Sequence, residues 1–295
     1  MTTKIFASTL IISSILCFSC SDSDAKKTEN QDDIVDTVMT DTTSIAIIED
    51  DQEVSYKLPS ALQIAYVFKK SGSAFIPTLV NSNINVNRYN ISPFKRATNF
   101  GVYSADLAYC IFNKKYQESK NYLKSLKEIG TELGLNNAFE DDNVVLRFDK
   151  NIANEDSIIK IVSSVQLKTD VLLEKYKHKH ITTIIFTGAW VESVYIASEV
   201  YSKDKNIKAL NSLLEQLLLA ETIIKALKAN LVSEPEISKL IDAVGKIKDA
   251  YDSIAAVKLA KEKDEEIDFT MINVTDIEFK AISSTIIALR KEIID

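Results

Sequence analysis

From residue 54 to residue 295 the apolar side chains return at steps of three and four, and little interrupts them. The whole chain holds only six glycines and four prolines. That spacing lines one face of an α-helix with apolar groups, and scarce breakers leave the helices intact. Ile207, Leu210, Leu214, Leu217, Ile224 and Leu227 form one such series, and Ile237, Leu240, Val244, Ile247, Tyr251 and Ile254 another. The start signals agree. Ser92-Pro93 and Ser233-Glu234-Pro235 place a capping serine before a proline in the first turn. Pro59 opens a helix over Leu58–Lys70 that closes at Gly72, and Thr275-x-x-Glu278 is a capping-box pattern. Further helices are expected over Phe100–Asn113, Tyr116–Leu133, Asp156–Lys177 and Ile277–Ile294, with Phe269–Val274 the best candidate for an extended segment. The expected fold class is all-α, a multi-helix orthogonal or bundle-like domain of about eight to ten helices. It occupies 54–295 as a single domain, or as two packed lobes with a break near 203–206.

The first residues are different. After Lys4 comes an apolar run, Ile5–Phe18, that ends at Cys17-Phe18-Ser19-Cys20 and gives way to Ser21-Asp22-Ser23-Asp24. A short charged start and an apolar stretch of roughly 7–15 residues make a secretory signal, whereas a spanning helix needs about 20. Ser21–Glu53 then carries eleven acidic residues against Lys26 and Lys27. So polar a stretch cannot bury enough apolar surface to offset its ordering entropy. It is expected to be a disordered tether of roughly 30 Å reach; the short Ile45–Ile48 run could dock as one strand. The net charge of −7 belongs to this tether, and the helical body is near neutral. A near-neutral body offers nucleic acid no basic face.

Ser19-Cys20 after an apolar run resembles the lipobox of bacterial lipoproteins, in which the cysteine is acylated and becomes the mature N-terminus. Cys17 and Phe18 depart from its usual pattern, a looseness met in lipoproteins of the Bacteroidota. The acidic residues after Cys20 partly resemble the surface-export signal of such proteins. This divides the chain into a signal peptide (1–19), a lipidated tether (20–53) and the body. Of the three cysteines, Cys17 leaves with the signal and Cys20 takes lipid, so Cys110 has no partner for an internal disulfide. The segments Phe100-Gly-Val-Tyr-Ser-Ala-Asp-Leu-Ala-Tyr109 and Gly188-Ala-Trp-Val-Glu-Ser-Val-Tyr-Ile-Ala197 make the chain similar to uncharacterised helical lipoproteins of the Bacteroidota, over roughly residues 94–201. The resemblance implies a helical fold and an envelope location, with the outer membrane the expected site of anchoring. It brings no catalytic residues with it.

Motifs that carry chemistry are scarce. No two glycines have the spacing of a phosphate-cradling loop, so neither a nucleotide nor any other cofactor is expected. His178 and His180 diverge by about 200° on a helix, and their basic surroundings suit a helix end better than a metal site. Glu140-Asp141-Asp142 offers paired carboxylates, but acids at a helix start serve the helix dipole. Tyr116, Ser119, Leu123 and Leu126 loosely match a tetratricopeptide helix, with no second copy at a fixed period. Cys110 in its apolar helix is read as a small buried hydrophobe.

Ile181–Tyr201 is the most apolar stretch, charged only at Glu192 and Glu199. It should be buried on most of its circumference, with Gly188, Ala189, Ser193 and Ala197 admitting a close neighbour. The simplest place for Glu192 and Glu199 is a narrow solvent stripe. The sharper expectation is a groove in which Tyr103, Asp106, Trp190, Glu192 and Tyr195 meet a ligand. Two functions follow from different classes. One is a non-enzymatic module binding an envelope protein; the other is a binding protein for a small molecule, glycan or lipid.

Overall fold

The structure is a computed structural model that describes residues 46–50, 53–57, 60–63, 66, 72–140, 143–176, 179–229 and 235–295. Cys20, the segment expected to be a signal peptide and most of the expected tether lie outside these residues, as do Asp141, Asp142 and His178.

The fold is all-α. Eleven α-helices follow one another among the described residues: α1 (Pro93–Phe112), α2 (Tyr116–Glu132), α3 (Asn137–Glu140), α4 (Val144–Lys150), α5 (Glu155–Lys175), α6 (Lys179–Asp204), α7 (Ile207–Leu217), α8 (Leu219–Ala229), α9 (Pro235–Asp252), α10 (Ala255–Lys263) and α11 (Asp276–Ile294). A 3₁₀ stretch, Asn83–Ile91, precedes α1. The sheet seen among these residues is one antiparallel pair, β1 (Ala46–Asp50) with β2 (Glu53–Lys57), in the register Ala46 to Lys57 and Asp50 to Glu53. Ala46–Ile48 of the Ile45–Ile48 run lie in this strand, as the β-branched Ile47 and Ile48 allow, and Ile45 lies outside the described residues. Phe269–Val274, expected to be extended, instead runs through a turn into irregular chain. Its turn is fixed by Asp268, whose carboxylate accepts from the Thr270 amide (2.9 Å) and hydroxyl (2.6 Å).

Caps set the helix starts. Ser92 accepts from the Lys95 amide (3.1 Å), with Pro93 in the first turn of α1. Thr275 and Glu278 form the capping box of α11, and the second Glu278 oxygen accepts from the Ala255 amide (2.8 Å). One carboxylate therefore joins the starts of α10 and α11. The Ile207–Leu227 series is divided at Leu218 into α7 and α8.

At the centre α1 crosses α6 at backbone contact. A Cβ built on Gly101 would lie 1.9 Å from the Ile185 carbonyl oxygen, and one on Gly188 would lie 2.0 Å from that of Thr98. Only glycine fits either place. By length and composition α6 could cross a membrane, but 78% of its most apolar window is buried in the protein. One continuous core runs from Leu62 to Ile293, with Trp190, Tyr89, Tyr103, Tyr109 and Tyr251 its largest fully buried side chains.

Candidate functional site

Asp106 and Glu192 stand on the facing sides of this crossing, and both are 0% exposed. The expected solvent stripe does not include Glu192. Its helix is covered there, and the charge is met by an arginine that sequence reasoning overlooked. Arg290, in the last turns of α11, donates from Nε to one Glu192 oxygen (2.8 Å) and from Nη2 to the other (2.8 Å). Nη2 also donates to the Leu79 carbonyl (2.9 Å), and the guanidinium lies 4.1 Å from the centre of the Tyr195 ring. A planar fork with two parallel hydrogen bonds is the geometry in which arginine binds carboxylate best. Stacking on Tyr195 adds a cation–π contact.

Asp106 is held from the other side. Its Oδ2 accepts from the Asn81 amide (3.1 Å). Asn81 is itself fixed, its carbonyl accepting from the Tyr122 hydroxyl (2.8 Å) and its side-chain amide donating to the Tyr89 hydroxyl (2.9 Å). The Tyr103 hydroxyl donates to the Ser82 carbonyl (2.8 Å). Burial pushes the Asp106 carboxyl well above the ordinary aspartate value, and the neighbouring Glu192 pushes it the same way. Burial alone would lower the Arg290 guanidinium, but the charge and hydrogen bonds of Glu192 hold it above its usual range. Tyr103 and Tyr122 are likewise raised by burial and remain neutral phenols.

Four of the five candidate residues therefore come together: Tyr103, Asp106, Glu192 and Tyr195. Trp190 does not. Two residues apart on a helix are turned about 200° from each other, so Trp190 faces α7, where its indole N–H donates to the Gln216 carbonyl (2.9 Å). In an unbroken helix that carbonyl would accept from the amide of residue 220; here it is taken by the indole where α7 gives way to α8.

Two carboxyls in one buried place are a pairing used for acid–base work. At this place it has no room to act. Both Glu192 oxygens are spent on Arg290, and neither carboxyl reaches the surface. Among the described residues no group of three or more His, Cys, Asp or Glu side chains could hold a metal ion. His180 is half-buried near the start of α6, and Glu140 ends the single turn of α3 instead of opening a helix. Cys110 is fully buried, and burial drives its thiol far above the ordinary value, so it stays protonated.

Arg290 had a signal in the sequence. It falls between Ile286 and Ile293 at steps of four and three, a charged residue set in the apolar stripe of α11. Asn81, Tyr89 and Tyr122 had none, because their roles arise from the irregular chain around residues 79–82.

No protein-family model, curated protein or solved structure matches the chain.

Proposed function

We propose that this protein is a lipid-anchored, non-enzymatic interaction module of a bacterial cell envelope, tethered to the outer membrane through acylated Cys20. The observation that carries the reading is the internal use of its chemistry-bearing groups. Glu192 is closed by Arg290, Asp106 by Asn81, Tyr103 by the Ser82 carbonyl and Trp190 by Gln216. The centre is a rigid scaffold, which leaves the outer surface to work. That surface carries large apolar side chains, among them Ile84 (89% exposed), Ile277 (83%) and Met271 (81%). Met is enriched in the cores of protein–protein interfaces, which are more apolar than the surrounding surface. The lipobox resemblance at Ser19-Cys20 supports the anchor, and the acidic stretch behind it supports a tether holding the body away from the lipid surface.

The alternative, a small molecule, glycan or lipid held near Trp190 and Glu192, has less in its favour. It needs the Glu192–Arg290 pair to open, and it needs Trp190 to turn from α7.

Crosslinking the full-length protein in its native membranes, beside a Cys20→Ala control, tests the reading. One envelope protein recovered in stoichiometric amount, and lost in the control, is the expected result. Recovery of the protein alone, together with thermal stabilisation by a glycan or lipid, would replace this reading with the alternative.

A further inference from the structure

We propose that the outer face of α10, the loop after it and the first turn of α11 dock a basic, apolar segment of an envelope protein; this rests on the interaction-module reading above. The stretch from Ala255 to Thr275 adds little to the core. α10 fully buries Val257 alone, and the loop from Asp264 to Thr275 fully buries only Val274. Large apolar side chains stand exposed instead: Leu259 on α10, Met271 in the loop and Ile277 in the first turn of α11. The starts of the two helices lie together, because Glu278 accepts from the Ala255 amide (2.8 Å). Apolar groups left in water on neighbouring elements mark a contact surface.

Charge names the occupant. Asp264, Glu265, Glu266, Asp268, Asp276 and Glu278 follow one another with no lysine or arginine between them. The neighbouring cations are engaged elsewhere. Lys261 pairs with Asp252 (2.6 Å), and Lys205 answers Asp276 alone (3.4 Å) while lying over the Tyr201 and Phe279 rings. Among the described residues no cation pairs with Asp264, Glu265 or Glu266. These three acids close and follow the last turn of α10, the end at which a helix dipole favours cations. Their placement works against the helix, and such a local conflict is the mark of a site that serves something other than the fold.

The same charge disfavours the other occupants. Anionic lipid headgroups and nucleic acid would be repelled. So would Ser21–Glu53, with its eleven acids against two lysines. A second copy meeting this face across a two-fold axis would set acids against acids. A protein segment with apolar anchors and positive charge answers both features: the anchors supply affinity, and the charges supply orientation and rate.

The test places a photoreactive residue at position 271 of the full-length protein in its native membranes. A second protein carries it at position 167, where Leu167 is exposed on α5. The expected result is an envelope protein joined from 271 and not from 167, through a peptide in which Lys and Arg outnumber Asp and Glu. Ile277→Asp, and separately Glu265→Lys with Glu266→Lys, should each cut the yield by about tenfold or more. These side chains are exposed, so both variants should melt as the wild type does. A partner joined from 167 only would keep the interaction module and overturn this surface. A crosslink to a second copy, or to a peptide that is not basic, would overturn the occupant, as would a yield that charge reversal leaves unchanged. Silence at both positions would overturn the surface. If a general lysine-reactive crosslinker then recovers no partner from the same membranes, the interaction-module reading falls as well.

Discussion

Arg290 reaches across 98 residues of chain to close on Glu192 with two parallel hydrogen bonds of 2.8 Å each. The pair joins α6, one of the two helices of the central crossing, to α11. Removing one member of a buried, hydrogen-bonded ion pair strands the other, at a cost of about 3–5 kcal/mol. Arg290→Met should lower unfolding stability by that amount in urea titration, and Arg290→Lys should recover only part of it, because an ammonium cannot make the fork. A loss below about 1 kcal/mol would show that the pair is dispensable.

The crossing of α1 and α6 makes a steric prediction. A methyl group at Gly101 or Gly188 meets a carbonyl oxygen, not a flexible side-chain end, so the helices themselves must separate. Gly101→Ala and Gly188→Ala should each destabilise by about 1–3 kcal/mol or more. Gly245→Ala is the contrast. Nothing lies within 4 Å of a Cβ there, and alanine should stabilise α9 by several tenths of a kcal/mol. Thermal melts of the three variants decide it.

Trp190→Phe keeps the aromatic bulk but leaves the Gln216 carbonyl without its indole donor. The expected loss is about 1–3 kcal/mol, with increased hydrogen exchange confined to the α7–α8 junction. Unchanged exchange at Leu218 would show that the indole bond does not hold the break.

Cys110 should resist thiol reagents in the native protein and react fully in denaturant, because its thiol is both enclosed and protonated. Rapid native labelling would mean that α1 opens locally.

The helices were legible in the sequence because their causes are local: apolar steps of three and four, a serine before a proline, a threonine three residues before a glutamate. The singling out of Asp106 and Glu192 was legible for a similar reason, since acids inside apolar helices stand out. Their closure was not. It depends on the register of α11 against α6, which no local pattern specifies. Trp190 was grouped with Glu192 by proximity in sequence, although the 100° turn per residue that separates His178 from His180 separates these two as well. The break at Leu218 was hidden for a different reason: the side chain at the broken carbonyl belongs to another helix.

The closure of Glu192 by Arg290 has a consequence for the order in which the protein is made. A ribosome delivers α1 and α6 well before α11, so for much of synthesis both central acids exist without their cation. Until Arg290 arrives, burying Glu192 would leave its charge unpaired at a cost of about 3–5 kcal/mol, so the crossing of α1 and α6 should gain its full stability only with the last helix. Final compaction of the middle is therefore expected to wait until the last helix has been released.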